Sequence, residues 1–196
     1  MNGKSFSNFK KQVLHCPDAS KKGDIDEHVQ DVINNINASD KYVTLSSCSG
    51  RTAVLLQCSE IEKEGCQWVY CTHDFVDDSA LIRSILSSAS QGDLTLKFEP
   101  FILHVACQTL EDAKLLLTCA LNAGCKNSGI TLGKHGRLTV AARNTLSMEV
   151  PLASKGNLLV SEEFIKFLAT QANEKMTKNL KKLAKFEKCI AELLNG

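Results

Sequence analysis

From Ser161 to Leu194 no proline interrupts a stretch of strong helix formers, and this predicts one long C-terminal helix. Ser161 suits its N-cap, and Glu162 and Glu163 fall in the first turn, where the helix dipole favours acids. Met176, Leu180, Leu183 and Ile190 share one face of such a helix. Lys175, Lys178, Lys181, Lys182, Lys185 and Lys188 fall on another, within an arc of about 140°. A helix built this way must lay its apolar face on something, so the rest of the chain has to supply an apolar surface.

Strand-like runs supply it. "KYVTLSS" and "RTAVLLQCS" read as two strands flanking a Ser/Gly bend, "CQWVYCTHDF" as a third, and "LTLKFEPFILHVACQ" as two short strands around Pro100. "SGITLGKHGRLTVAARN" with "SMEVPLA" reads as a hairpin-like region turning at Gly133 and Gly136. Helical periodicity appears in three further places. The first is "GDIDEHVQDVINNINASD", with Asp24 and Glu27 as a capping box and Val29, Val32, Ile33 and Ile36 along one face. The second is "SALIRSILSSA", capped by Asp77 or Asp78, and the third is "LEDAKLLLTCALNAG", closed by Gly124. Residues 1–8 are expected to form a tail. A helix, a Gly-Arg segment, a strand and a helix occur twice in order, with Gly50 and Arg51 overlaying Gly136 and Arg137. The expectation is a single α+β domain over residues 1–196, with a mixed β-sheet built from two weakly similar intertwined repeats and a long C-terminal helix.

The 196 residues are 43% hydrophobic, enough for a normal core. With 23 basic against 22 acidic residues the net charge is +1, so any contact with nucleic acid has to come from a local patch such as the lysine face. The start, "MNGKSFSNFKKQVLHC", lacks the apolar core of a signal peptide, and no apolar run approaches the ~20 residues that span a bilayer. Nine cysteines then read as reduced thiols of a cytoplasmic chain. Their spacings do not form paired Cys-x-x-Cys knuckles, so no metal site is expected.

The chemistry concentrates in "TLSSCSGRTAVLL". Ser46, Ser47 and Ser49 with Gly50 make a donor-rich segment that binds a carboxylate, phosphate or ring edge without covalent chemistry, and Arg51 adds a charge-assisted donor. Cys48 as a nucleophile would need His73 or His104 close by, and no acyl-enzyme signature surrounds it. Lys97 and Glu99 fall on one side of an alternating strand, as an ion pair or as a polar lining. Gly129, Gly133 and Gly136 precede a strand instead of joining a strand to a helix, which excludes a Rossmann fingerprint.

Taken in order, "KKGDIDEHV", "TLSSCSGR", "WVYCTHD", "LKFEPFILHVAC", "AGCKNSGI", "SMEVPL" and "ANEKMTKN" resemble the tRNA wybutosine-synthesizing protein 3 family, from about Phe9 to the C-terminal helix. The resemblance implies an S-adenosylmethionine-dependent methyltransferase with a fold outside the Rossmann class. Its implied substrate is N4 of the 4-demethylwyosine intermediate that already carries an aminocarboxypropyl group, next to the anticodon of phenylalanine tRNA. It further implies Ser46, Ser47, Cys48, Ser49, Gly50 and Arg51, with Ser128 and Gly129, as the cofactor wall. Leu45 departs from the family, which carries a hydroxyl there. Because N4 must lose a proton, an acceptor is expected among His104, His73, Glu99 and Asp26. Lys97, Arg143, Lys178, Lys182 and Lys185 are the expected contacts to the anticodon loop of the tRNA, and no membrane partner is expected. The competing readings are a non-catalytic tRNA-binding module and, from another class, a cysteine-dependent hydrolase using Cys48.

Overall fold

The computed structural model describes residues 3–16, 25–57 and 66–195. The chain is helical from Gly3 rather than tail-like: α1 spans Gly3–His15, and Phe6, Phe9 and Val13 turn one face toward Val43 and Ala106. A 3-10 turn at Glu27–Val29 leads into α2, Gln30–Ala38, which buries Val32, Ile33 and Ile36. Asp24 of the expected capping box lies outside the described residues. β1 (Tyr42–Gln57), β2 (Cys66–Thr72), α3 (Asp78–Ser88), β3 (Asp93–Cys107) and α4 (Leu110–Asn122) follow. Then come β4 (Gly129–Leu132), β5 (Leu138–Arg143), β6 (Met148–Ser154), β7 (Asn157–Leu158) and α5 (Glu162–Asn195).

The class is α+β with a long C-terminal helix, as expected. Hydrogen bonding runs in the order β2–β1–β3–β5–β4, with β6 on β3 and β7 on β6. The ladders β1–β2, β3–β5, β3–β6, β4–β5 and β6–β7 are antiparallel, so the mixed strand direction expected from the sequence is not seen in them.

Two strand boundaries differ from the sequence reading. The Ser/Gly segment is not a bend but the middle of the continuous strand β1. Ser46 pairs with His104 of β3 and Ser49 with Asp26, and Gly50 takes φ 105°, which a residue with a Cβ rarely adopts. Likewise β3 runs through Pro100 without ending. Proline lacks the ladder donor, yet on the edge of β3 facing β5 and β6 the pairing with β6 ends at Phe98 and that with β5 begins at Ile102, so Pro100 falls between those two ladders. The strand nevertheless changes phase there: Leu94, Leu96 and Phe98 are buried before it, and Phe101, Leu103 and Val105 after it.

Two compact units form from alternating stretches of chain, one from residues up to Ser49, Phe101–Thr145 and Leu180 onward, the other from Gly50–Pro100 and Leu146–Asn179. In the first, α2, α4 and the end of α5 pack on β1, β3 and β5 around Ile36, Phe101, Leu103, Leu116, Val140 and Phe186. α4 is opened by a Thr109–Asp112 capping box and followed by Gly124 at φ 89°. In the second, Leu81, Ile85, Leu94, Leu96, Phe98 and Ile165 are buried. There Asn173 of α5 grips the peptide of Val76, accepting from its N–H at 2.7 Å and donating to its carbonyl at 3.1 Å.

Phe186 carries much of the first unit's core, fully buried and stacked on Phe101 at 6.2 Å between ring centroids. Phe186→Ala removes that contact and should destabilise the protein by about 3–5 kcal/mol. Urea denaturation monitored by circular dichroism reads this as a lowered midpoint; an unchanged midpoint would mean that this core does not hold the unit.

Candidate active site

Within the first unit a chain of polar groups crosses three strands. His104 stands on β3 opposite Ala141 of β5, with Ser46 of β1 on one side and Arg143 of β5 on the other. Arg143 Nη2 lies 2.9 Å from His104 Nε2, and Ser46 Oγ lies 2.9 Å from His104 Nδ1. A guanidinium can only donate, so Nε2 is the acceptor, Nδ1 carries the hydrogen, and that hydrogen is donated to Ser46 Oγ. The network itself thereby sets the tautomer. Partial burial, and after it the charge of Arg143, lower the histidine pKa below its ordinary value and favour the neutral ring.

The neighbouring residues hold this chain in place. Ser128 Oγ donates to the Cys125 carbonyl at 2.7 Å and accepts from the Arg143 N–H at 3.0 Å, so it fixes the end of β5 instead of offering its hydroxyl outward. Gly129, the first residue of β4, has open space where a Cβ would stand. Asp26, 7% exposed, accepts from both the backbone N–H of Ser49 (2.8 Å) and its hydroxyl (3.1 Å), which pins the polar part of β1. Ser47 and Cys48 are half-buried in the same stretch, and Leu45 is exposed. Asn37 clasps the start of β1, donating to Thr44 Oγ1 at 2.8 Å and accepting from the Thr44 N–H at 2.9 Å.

The second unit groups other expected residues. Arg51 Nε donates to Glu99 Oε2 at 2.7 Å while its guanidinium lies 4.3 Å from the centroid of the Trp68 ring. Lys97 pairs with Glu149 at 3.0 Å. Gly50 is buried next to Arg51, and His73 follows the end of β2, half-buried. Trp68 was not among the residues picked out from the sequence, although a lone tryptophan on a short strand was a signal available there. The lysines of α5 divide by role. Lys178 and Lys185 are exposed, whereas Lys182 reaches back to donate to the Gly124 carbonyl at 3.1 Å, neutralising the C-terminal end of α4.

A methyltransferase family model, Methyltransferase TYW3, matches residues 5–192. The chain belongs to that family. It is 43% identical over 99% of its length to the tRNA wybutosine-synthesizing protein 3 homolog of Danio rerio, covering 78% of that protein. It is 42% identical to the Homo sapiens protein of the same description, with 96% of this chain and 73% of that one aligned. Among solved structures it is similar to the PH1069 protein from Pyrococcus horikoshii, with a TM-score of 0.84, 32% identity, and 96% and 97% of the two chains covered.

The methyltransferase TYW3 assignment makes an active-site thiolate unnecessary, and three of the cysteines are packing groups. Burial pushes the Cys107 thiol up to about 12 and the Cys119 and Cys125 thiols up to about 11, which makes them inert packing groups. Among the described residues no disulfide joins Cys16, Cys48, Cys66, Cys71, Cys107, Cys119, Cys125 or Cys189.

The lowered His104 pKa makes stability depend on pH. An unfolded histidine takes up its proton near pH ~6.5, but the folded ring resists protonation until lower pH. Stability is therefore fully present above the unfolded value and is lost as the pH falls through the folded one. Thermal melts between neutral and acidic pH should show the wild-type melting temperature falling more steeply below the histidine range than that of His104→Gln. Parallel curves would mean that the ring is not held neutral by its surroundings.

Proposed function

We propose that this chain transfers a methyl group from S-adenosylmethionine to N4 of the 4-demethylwyosine intermediate bearing an aminocarboxypropyl group, in the anticodon loop of phenylalanine tRNA, as a cytoplasmic step of wybutosine synthesis. The observation that carries the reading is the family match over residues 5–192 laid on the Ser46–His104–Arg143 chain. The protein names of the Danio rerio and Homo sapiens relatives support the pathway. A phosphate-cradling glycine loop is not needed for such a cofactor. It presents a carboxylate, an ammonium, hydroxyls and a sulfonium, and the hydroxyls of Ser46 and Ser47 and the guanidinium of Arg143 are a donor set that fits its carboxylate and polar edges. When bound, S-adenosylmethionine supplies an electrophilic methyl group on sulfur.

The residues of this chain then have two tasks. The first is positioning: an in-line displacement gains most from holding the reacting atoms collinear in a dry site, and the strand-borne hydroxyls pinned by Asp26 and His104 are rigid enough for that. The second is taking the N4 proton. Asp26 and Glu99 already accept from Ser49 and Arg51, respectively. His104 is held neutral, and its Nε2 lone pair is covered by Arg143. An anionic group of the substrate that draws Arg143 aside uncovers Nε2, which then accepts the proton from N4 while Nδ1–H stays on Ser46. The exposed Lys178 and Lys185 of α5 contact backbone phosphates of the tRNA.

The direct test is single-turnover incorporation of labelled methyl from S-adenosylmethionine into tRNA taken from a strain blocked at this step. Wild type should label that tRNA and no unblocked tRNA, with a rate that rises with pH below the ordinary histidine range and is flat above it. His104→Gln should keep cofactor affinity and lose about 10²-fold or more in rate, with the pH dependence gone. No incorporation by wild type overturns the function; an unaltered profile in the variant removes His104 as the acceptor.

Charge reversal at Lys178 or Lys185 should weaken tRNA binding and lower the slope of log affinity against log salt by about one each, without changing cofactor affinity. Filter binding across a salt series measures this, and unchanged binding at low salt would remove these lysines from the interface.

A further inference from the structure

In the second unit Trp68, which the methyl-transfer reading does not use, stands beside Arg51, Lys97 and Glu99. Trp68 lies on β2, an edge strand, and is 36% exposed. Arg51 of β1 places its guanidinium carbon over the ring, 4.3 Å from the centroid, and its Nε donates to Glu99 of β3 at 2.7 Å. A shallow cleft of about 40 Å³ runs beside them, lined by Arg51, Ala53, Leu55, Trp68, Lys97 and Glu99. Exposing a tryptophan on an edge strand leaves apolar area in water, and salt-bridging the neighbouring arginine and lysine removes most of their net field. The patch is thus aromatic, held by the carboxylates of Glu99 and Glu149 and close to electroneutral. Those are the properties of a surface that receives a planar heteroaromatic ring; a surface that follows phosphates needs uncompensated cations.

We infer that Trp68 with Arg51 forms a stacking platform for one unstacked base of the anticodon loop. The inference rests on the tRNA reading above and deepens it by adding a contact to the loop's bases. Single-stranded RNA is held largely in this way, bases lying on aromatic rings or guanidinium planes. The cleft is too small to enclose a base, so recognition is by the exposed ring and guanidinium faces, and the free donors of Arg51 and the ammonium of Lys97 reach the edges of the stacked base.

Trp68 is the chain's single tryptophan, which gives the test a direct signal. A synthetic hairpin RNA with the phenylalanine anticodon-loop sequence is titrated into the full chain, following tryptophan fluorescence and, separately, filter binding. Stacking quenches the fluorescence of wild type. Trp68→Ala should weaken binding about 5- to 150-fold, the range for losing one base–aromatic stack, and Trp68→Phe, which keeps a ring, should retain most of the affinity. The loss should be the same at low and high salt, because stacking releases no counterions. Circular dichroism and cofactor affinity of the two variants check the fold; if Trp68→Ala does not fold, the wild-type quench and the Trp68→Phe affinity decide. No quench, or equal binding by a folded Trp68→Ala, overturns the platform. If wild type methylates tRNA but shows no quench, the platform fails and the function stands. A quench without any methyl transfer leaves the platform and removes the function.

Discussion

Two strands that each serve two compact units are the constraint on which this structure turns. β1 and β3 are long, and each crosses from one unit to the other at a residue with unusual backbone properties: β1 at Gly50, φ 105°, and β3 at Pro100. A strand with strict two-residue alternation has one inward face along its whole length. The shift of phase at Pro100 lets β3 bury Leu94, Leu96 and Phe98 in one unit and Phe101, Leu103 and Val105 in the other. On the edge facing β5 and β6, Pro100 lies between two ladders, where its missing donor costs neither of them a bond. The same two strands bear Ser46, Ser49, Arg51, Glu99 and His104, so the placing of polar groups depends on the places where the strands change phase.

Burying polar groups on strands is costly unless they are matched, and matching is what gives the candidate site its order. Asp26 takes both donors of Ser49, Arg143 and Ser46 occupy the two nitrogens of His104, and Ser128 takes up the backbone of Arg143. A side chain with two opposed partners has little rotational freedom left. The same matching limits the chemistry at His104: the single acceptor nitrogen of its neutral ring already takes a hydrogen bond from Arg143, so proton uptake there is coupled to displacement of that donor.

Helix ends were legible because their signals are local. Asp77 accepts from Ala80 N–H at 2.6 Å, Ser161 from Phe164 N–H at 3.2 Å, and Gly124 takes a positive φ after α4, all readable from a few neighbouring residues. Strand continuity was not, because serine, glycine and proline are turn formers by propensity, and only the ladder on either side decides whether they end a strand. The first helix was missed although Phe6, Phe9 and Val13 have helical spacing; its apolar face is narrow and its partners Val43 and Ala106 lie far along the chain. Lys182 and Ser128 show the same limit at the level of function. Each was a reasonable ligand contact by motif, and each is committed to a carbonyl brought near by tertiary structure.

The absence of a dinucleotide-type glycine fingerprint then has a physical meaning beyond classification. A helix N-terminus with a glycine turn is suited to phosphate, whose charge is concentrated and needs several converging amides. S-adenosylmethionine has no phosphate. Its anionic part is one carboxylate, which a guanidinium can meet bidentately, and its reacting part is cationic, for which the positive end of a helix dipole would be a poor neighbour. On the proposed reading, hydroxyls on a pinned strand with one arginine beside a neutral histidine match that charge distribution without a phosphate cradle. On the same reading, the negative charges of a tRNA are left to other surfaces, and this chain of net charge +1 concentrates exposed lysines on α5.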